Sequence, residues 1–380
     1  HDALPRSEER RVGKECKKIL GKNRYTQTFL LITPTPFQTF LTLLGNIAKK
    51  KELPKVEKTV DISSLIEKKF GFGLIKSARD FADEDYQIIP FSPAHDLALG
   101  GIDEGSTIIM AGQSGGGKTT SIVHLCKKCQ QAGMRIFFFN VEHRLKKRDL
   151  ELAGLDPDMF DIIESTKEKH LLGFDFLDIC TAIMENTERC VFVIDSFSML
   201  AESKTAEDGV RTSSRGGAAQ VLSRFLVNTA GIIKPRKHIL IGTYHLIANT
   251  SGYGGPMEKG GNMGLFKADV RLRIKSFEYW TAGEQTLGQK VVWKVLKTAH
   301  TEEPNKEYES WIRYGEGIDE AKEIFCMAES IGYVKKAGAW YSFDEEDSPK
   351  FQGEDKILTF IKENPEWEKK VKDKVTEFLS

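Results

Sequence analysis

The segment GQSGGGKTT, from Gly112 to Thr120, has the residue types and spacing of a phosphate-binding loop. It follows an apolar run, Thr107–Ala111, that predicts a buried strand, and it precedes SIVHLCKKCQQAG, which predicts a helix ending at Gly133. Glycines let backbone N–H groups close around phosphate oxygens, and the N-terminus of the helix adds positive potential. The order of strand, glycine-rich turn, Lys-Thr and helix therefore predicts a nucleotide-binding site.

Two residues of this loop have specific predicted parts in binding a nucleotide. Lys118 is expected to reach the β- and γ-phosphates, and the Thr119 hydroxyl is expected to ligate Mg²⁺. The complete predicted contact set is Gly112, Gln113, Ser114, Gly115, Gly116, Gly117, Lys118, Thr119 and Thr120.

Three polar residues at the ends of predicted strands could act on the bound phosphates. Asp195 ends the apolar run FVID, where a carboxylate can hold Mg²⁺; the alternative is a cap that opens a turn. Glu142 ends RIFFFNVEH and could polarise a water in line with the γ-phosphate; the alternative is a solvated strand end. His245 ends a third strand and could sense the γ-phosphate, although spacing alone favours a structural histidine.

The elements that must position these residues alternate between strand and helix. Apolar strands are predicted at Arg135–His143, Cys190–Leu200 and His238–Leu246, and helices at Gly173–Asn186 and Gly217–Gly231. Such alternation predicts an α/β fold with a mostly parallel central sheet covered by helices on both faces.

The later strands of the predicted sheet differ from the earlier ones. The segments Val270–Ile274 and Val291–Val295 alternate in polarity, which favours an antiparallel extension of the sheet. In a parallel sheet, residues at the C-terminal ends of the strands meet at one edge, beside the phosphate-binding loop.

Composition indicates a globular protein without an overall charge bias. The 380 residues include 55 basic and 55 acidic side chains, so any contact with nucleic acid must come from local patches. No apolar stretch has membrane-spanning length, and six cysteines show no disulfide pattern, so we expect no membrane contact and a cytoplasmic location. Cys126 and Cys129 form a lone C-x2-C, for which buried helical residues are favoured over a metal site.

A set of motifs beyond the phosphate-binding loop resembles the RecA recombinase family. The motifs are, in chain order, GQSGGGKTT, FFFNVEH, FVIDS, the GGN and FKADVRL run of Gly260–Leu272, YGEGID at Tyr314–Asp319 and KAGAWYSF at Lys336–Phe343. They cover the chain from about Asp61 to its end, and KAGAWYSF is similar to the C-terminal domain of the bacterial type. A histidine at position 245, where the family has glutamine, is similar to phage recombinases of the UvsX type.

The resemblance implies an ATP-dependent DNA strand-exchange protein. Such a protein polymerises on single-stranded DNA into a helical filament, with ATP and Mg²⁺ at the interface between protomers. Carried over to this chain, Lys118 and Thr119 bind the phosphates and Mg²⁺, Glu142 is the catalytic base, and Asp195 is the Walker B acid.

The resemblance also implies residues that act between protomers. His245 takes the position of the γ-phosphate sensor, Lys297 matches a lysine that reaches the neighbour's nucleotide, and Phe266 matches an aromatic residue at the protomer interface. The implied partners are single- and double-stranded DNA, further copies of the chain, and single-strand-binding or mediator proteins.

Two segments rich in Gly and Ser, Glu202–Gly217 and Ile247–Asn262, are the predicted DNA-binding loops. Their basic residues can contact phosphates, and their glycines let the backbone approach DNA closely. The predicted contacts are Arg211, Arg215, Gly216, Lys259, Gly260, Gly261 and Asn262, with Tyr253 or Met257 able to insert between bases. For each basic residue taken alone, a solvated loop charge is an equal alternative.

Some positions depart from the family pattern. The second lysine that reaches the neighbour falls at Ala299, with His300 beside it, and an aromatic residue that stacks on adenine is replaced by Asp149. A nearby acid is replaced by Lys146. These departures leave base preference open. Two other functions also stay open: a hexameric helicase with a related core, and a non-hydrolysing filament protein that binds single-stranded DNA.

The predicted organisation has four parts. Residues 1–60 are an unassigned, partly artefactual segment, because RSEERRVGKEC at 6–16 resembles a translated sequencing adapter, and we expect the true start downstream. Residues 61–84 hold a polymerisation helix and a linker, residues 85–320 the ATPase core, and residues 321–380 a small α+β lobe that gathers DNA in the family. Lysines in this lobe could form a basic face, with an ordinary solvated helix as the alternative.

Overall fold

The computed structural model describes residues 62–82, 85–200, 217–247, 257–258, 267–300 and 305–379. The helices in these ranges are α1 (Ile62–Phe70), α2 (Ala78–Ala82), α3 (Pro93–Leu99), α4 (Lys118–Gln131), α5 (Lys147–Ala153), α6 (Gly173–Asn186), α7 (Gly217–Ile233), α8 (Glu320–Ser330), α9 (Glu354–Glu363) and α10 (Pro365–Leu379). The strands are β1 (Ile88–Ile89), β2 (Ile102–Asp103), β3 (Thr107–Gly112), β4 (Arg135–Asn140), β5 (Phe160–Ile163), β6 (Cys190–Asp195), β7 (Ile239–Ile247), β8 (Met257–Glu258), β9 (Val270–Ala282), β10 (Gln285–Lys297), β11 (Glu307–Arg313), β12 (Gly317–Ile318), β13 (Val334–Ala337), β14 (Trp340–Phe343) and β15 (Lys350–Gln352).

The central sheet confirms the predicted α/β fold. Its strands run in the order β12, β11, β10, β9, β3, β7, β6, β4 and β5, with β8 paired to β7. Pairing is parallel from β9 through β3, β7, β6 and β4 to β5, and it is antiparallel from β9 to β12. The C-terminal ends of β3, β4, β6 and β7 therefore lie side by side.

The predicted antiparallel extension is confirmed, because Val270–Ile274 of β9 and Val291–Val295 of β10 pair antiparallel with each other. On its other edge β9 runs parallel to β3, which the sequence did not indicate. The alternation of polarity in β9 reflects its two faces. Val270, Leu272 and Ile274 are buried in the core, while Arg271 and Arg273 are only partly buried on the other face.

Hydrophobic cores lie on both faces of the parallel strands. Within β4, Ile136 and Phe138 pack into one core together with residues of α4, whereas Phe139 packs into the core on the other face. Burial on both faces explains why these strands appear in the sequence as nearly continuous apolar runs. Gly242 in β7 allows close packing, because an added Cβ would lie 1.8 Å from the Phe197 ring.

The C-terminal residues form a small α+β lobe with its own core. Phe325 of α8 and Phe343 of β14 are buried there, and the Phe343 ring stacks on Trp367 with 4.6 Å between ring centroids. The segment KAGAWYSF forms the hairpin of β13 and β14, with Gly338 in a left-handed conformation (φ 63°). Pro365 begins α10. The domain boundaries stay a prediction.

Several lysines of this lobe are paired with acids. Lys362 contacts Asp319, Lys370 contacts Glu345, and the Lys372 ammonium lies 2.7 Å from the Glu368 carboxylate. These pairs neutralise much of the charge that a basic face would need. These pairs fit the alternative of a solvated, charge-paired surface along α9 and α10, and the DNA-gathering role of the lobe stays a prediction.

Helices α1 and α2 belong to a compact unit separate from residues 85–380. Helix α1 contains no buried residue, and its Ile62, Leu65 and Phe70 are 67%, 54% and 62% exposed. Three exposed apolar side chains on so short a helix are unusual without a partner. Within the described ranges, no helix combines the length and the apolar character that crossing a membrane requires.

A buried carboxylate joins α8 to the core. Glu323 is 1% exposed, its Oε2 accepts a hydrogen bond from the Ala94 amide (3.0 Å), and its Oε1 accepts one from the Ser310 hydroxyl (2.5 Å). Burial raises the pKa of Glu323 to about 7, although these hydrogen bonds favour the ionised form.

This pKa predicts that the contribution of Glu323 to stability falls as the pH rises. Between about pH 4.5 and 7 the native state keeps a proton on Glu323 that the unfolded chain has released, so the free energy of unfolding falls through this window. Glu323→Gln removes the titration. We expect a smaller fall in this variant, so that its stability relative to the wild type rises by up to about 3 kcal/mol between pH 4.5 and pH 8.

Urea denaturation at several pH values between 4.5 and 8 measures this effect. Glu329→Gln is the matched control, because Glu329 is exposed on the same helix and should leave the pH dependence unchanged. An identical fall in the wild type and in Glu323→Gln would contradict the assignment.

Candidate nucleotide-binding and catalytic site

The predicted phosphate-binding loop connects β3 to α4. Its glycines are required by backbone conformation and by close neighbours: Gly115 and Gly117 have φ values of 78° and 97°. A Cβ at Gly117 would lie 2.3 Å from Ile312 Cδ1 and 2.9 Å from Gln289 Nε2. The loop is thus enclosed by β10 and β11, and it can keep its shape only with glycine at position 117.

Lys118, the first residue of α4, points back over this loop. Its side chain is buried, and Nζ donates to the carbonyl oxygens of Gly112 (2.8 Å) and Gln113 (3.0 Å). Burial lowers the pKa of Lys118, while the carboxylates of Asp195 and Glu142 oppose this shift. A buried ammonium inside a loop of backbone N–H groups provides the positive environment that phosphate needs.

Asp195 lies at the C-terminal end of β6 and is 8% exposed. Its Oδ2 accepts a hydrogen bond from Thr119 Oγ1 (2.8 Å), and its Oδ1 accepts one from Thr243 Oγ1 (2.5 Å). A carboxylate beside a hydroxyl is the kind of oxygen donor set that Mg²⁺ takes together with phosphates. The residues present therefore fit a Mg²⁺–nucleotide site, and Thr243 is a supporting residue that sequence reasoning missed.

Glu142 follows β4 and is the second buried carboxylate of the site. Its side chain is 6% exposed, and its Oε1 accepts hydrogen bonds from the Ser196 hydroxyl and from His245 Nε2 (2.6 Å). Burial alone would raise the pKa of Glu142, but the hydrogen bonds from Ser196 and His245 and the charge of Arg144 hold it below its usual value. The carboxylate is therefore ionised near neutral pH and able to accept a proton.

His245 is near the end of β7, directly opposite Gly112 of β3. Its backbone amide donates to Ser198 Oγ (2.9 Å), and its ring contacts Glu142. His245 therefore lies in the candidate site beside Glu142, and not in a hydrophobic core away from it.

These residues line one cavity of about 660 Å³, a volume within the usual range for a nucleotide or cofactor. The phosphate-binding loop, Glu142, Asp195 and His245 form part of the wall. The hairpin of β11 and β12 and the helix α5 supply further walls, including Tyr314, Asp149 and Leu152. Asp149 thus lies in the cavity, which is consistent with a base-contacting position.

Sequence reasoning missed several residues of the cavity. Gln289 Nε2 contacts the Gly115 carbonyl (3.4 Å), and Arg144 lies beside Glu142. Tyr314 belongs to the YGEGID motif, but the motif was not linked to this wall. Spacing could have flagged Arg144, which is two residues after the predicted base. Gln289 offered no signal, because its position depends on how β10 pairs with β9 and β11.

Other predicted site residues lie elsewhere. Lys297 is at the end of β10, where Nζ donates to the Ala268 carbonyl (2.6 Å), and it is not one of the described residues that line the cavity. Its predicted role toward a neighbouring protomer stays a prediction. The side chains of the predicted DNA and interface residues lie outside the described residues; they are Arg211, Arg215, Gly216, Tyr253, Met257, Lys259, Gly260, Gly261, Asn262 and Phe266.

Cys126 and Cys129 are buried in the core on the inner face of α4. Burial raises the pKa of the Cys129 thiol to about 12 and that of Cys126 well above its usual value. Neutral thiols in an apolar core are poor metal ligands, so the geometry favours their interpretation as core residues.

Comparison with known proteins agrees with this fold and site. The family model described as the RecA N-terminal domain matches residues 57–319, and the RecA C-terminal domain matches residues 322–380. Protein RecA of Streptomyces ambofaciens is 31% identical over 84% of this chain and 86% of its own length. Protein RecA of Bacteroides thetaiotaomicron is 29% identical over 88% of this chain and 99% of its own length. The chain therefore belongs to the RecA family of ATP- and DNA-binding recombination proteins.

Proposed function

We propose that this chain is a DNA-dependent ATPase that forms helical filaments on single-stranded DNA and promotes homologous pairing and strand exchange. The observation that supports this best is the position of Glu142. A buried carboxylate, kept ionised by its neighbours, lies in the same cavity as Lys118 and the hydrogen-bonded pair Thr119 and Asp195. These groups match the needs of phosphoryl transfer to water.

Each of these side chains has a distinct proposed part in hydrolysis. Lys118 and the loop amides hold the β- and γ-phosphates, and Thr119 and Asp195 hold Mg²⁺, which supplies charge neutralisation at the phosphate oxygens when bound. Glu142 accepts a proton from the attacking water. His245 contacts Glu142 at 2.6 Å and can exchange this contact for one to the γ-phosphate, which makes it the proposed sensor.

The proposed coupling of ATP binding to DNA binding depends on where the two predicted DNA-binding loops begin. One loop follows Leu200, just after Ser198, and the other follows Ile247, just after His245. Ser198 and His245 are joined by a hydrogen bond at the nucleotide site. A change of partner at His245 on ATP binding therefore acts on the backbone at the start of both loops.

Assembly of the filament is proposed to use the exposed apolar side chains of α1. Ile62, Leu65 and Phe70 would pack against a second copy of the chain, which would cover surface that is otherwise in water. Phe266 and Lys297 are the proposed contacts at the interface that holds ATP. Double-stranded DNA and single-strand-binding or mediator proteins are the further proposed partners.

Two other functions have less support. A hexameric helicase with a related core leaves the match to the RecA C-terminal domain unexplained. A filament protein without turnover is opposed by Glu142 and Lys118, because both groups that hydrolysis requires are present and buried in one cavity.

Glu142→Gln tests the proposed base. Glutamine cannot accept the proton from water, so we expect ATP hydrolysis in the presence of single-stranded DNA to fall by at least about 100-fold. Binding of ATP and of DNA should change little, because glutamine has nearly the same shape. Steady-state ATPase assays and nucleotide-binding titrations measure the two effects separately.

Glu151→Gln serves as the matched control for this substitution. Glu151 is exposed on α5, where it pairs with Lys147, and its replacement should leave hydrolysis unchanged. Rapid hydrolysis by Glu142→Gln would remove Glu142 from the role of catalytic base.

Arg215→Ala tests the proposed DNA loops. Loss of one phosphate contact should weaken binding to single-stranded DNA of any sequence and reduce the slope of log K against log salt by about 0.7. Arg224→Ala removes the same charge from an exposed position on α7 and should leave the slope unchanged. Equal affinity and slope for Arg215→Ala and the wild type would exclude Arg215 as a DNA contact.

A further inference from the structure

Arg144 lies in the turn that follows β4, two residues after Glu142. His143 has a left-handed backbone conformation (φ 53°) that reverses the chain at this point. The amides of Arg144 and Leu145 then donate to Asn140 Oδ1 at 3.1 and 3.3 Å. Asn140 is 4% exposed and is itself held by Glu164 (2.7 Å). The backbone that carries Arg144 is therefore fixed by a buried side chain.

The guanidinium of Arg144 lies between the catalytic carboxylate and the phosphate-binding loop. Nη1 is 3.2 Å from Glu142 Oε2 and 3.4 Å from Ser114 Oγ. The side chain is 63% exposed and lines the nucleotide cavity. A guanidinium has five N–H donors, so most of them remain available to a ligand that enters the cavity.

The position between these two groups is also where the terminal phosphate of a bound nucleotide belongs. The loop amides and Lys118 enclose the phosphate chain, and Glu142 must lie close to the water that attacks the last phosphorus. A side chain that touches both Ser114 and Glu142 therefore borders the γ-phosphate. The positive charge of Arg144 acts on residues on both sides of it. It lowers the pKa of Lys118, for which burial is the larger cause. It also lowers the pKa of Glu142, where the hydrogen bonds have the larger lowering effect.

We propose that Arg144 is a catalytic arginine supplied by the same protomer, whose guanidinium binds the γ-phosphate of ATP and stabilises the charge of the transition state. This inference rests on the proposed ATPase function. In the step, the oxygen of water bonds to the γ-phosphorus, and the bond from that phosphorus to the bridging oxygen breaks with its electron pair left on ADP. The proton of the water passes to Glu142.

Binding of the γ-phosphate by Arg144 also frees the proposed base, Glu142. In the structure, Glu142 accepts from Ser196 and His245 and also pairs with Arg144. When Arg144 binds the phosphate, Glu142 Oε2 loses its cationic partner and can accept a hydrogen bond from water instead. Binding of the substrate thus places a positive charge on the γ-phosphate and makes the base available to water.

Arg144→Ala separates this role from simple binding. With single-stranded DNA present, we expect kcat for ATP to fall by about 100-fold or more and KM to rise by a much smaller factor. The affinity for ADP, which lacks the γ-phosphate, should be nearly unchanged. The affinity for ADP with aluminium fluoride, which mimics the transferred phosphoryl group, should fall by a factor similar to that of kcat. Arg144→Lys keeps the charge but loses the fork, so it should recover only part of the activity.

Arg148→Ala is the matched control, because Arg148 is exposed on α5 and is not one of the described residues that line the cavity. It should behave as the wild type in all four measurements. An unchanged or raised kcat for Arg144→Ala would overturn the proposal, and so would an equal loss of affinity for ADP. A wild-type chain without ATPase activity would refute the proposed function itself, and the assignment of Arg144 with it.

Discussion

Two buried carboxylates need hydrogen-bond donors, and the arrangement of the site follows from this constraint. An ionised group removed from water is stable only when hydrogen bonds and opposite charges replace its hydration. Asp195 receives bonds from Thr119 and Thr243, and Glu142 receives them from Ser196 and His245. These donors come from different strands and helices, so the carboxylates can exist only where the parallel strand ends meet.

The donors on which Glu142 depends connect the catalytic site to the predicted DNA loops. The donors that stabilise Glu142 sit at the ends of β6 and β7, and the predicted DNA loops begin within a few residues of them. A change of hydrogen-bond partner at Glu142 can therefore act on the predicted DNA loops through two short stretches of backbone. Arg144 adds a cation from the same protomer at this point, in a chain that has Ala299 where the resemblance implies a second lysine from a neighbour.

Features that depend on residues adjacent in the sequence could be predicted. Strand, glycine turn and helix follow one another between Thr107 and Gln131, so the phosphate-binding loop was recognisable from spacing. The parallel pairing of β9 with β3 was not recognisable, because a half-covered strand alternates in polarity whether its neighbour is parallel or antiparallel. Gln289 and Glu323 reach their places through pairing of distant strands and helices, and nothing in their immediate sequence indicates those contacts.

The proposed function requires that this cavity hydrolyses ATP in response to single-stranded DNA within a filament. The most direct measurement is the ATPase rate of the full chain with and without single-stranded DNA, with negative-stain images of the same mixtures. We expect strong stimulation by DNA together with helical filaments. Closed rings, or filaments with no turnover of ATP, would contradict the proposed function.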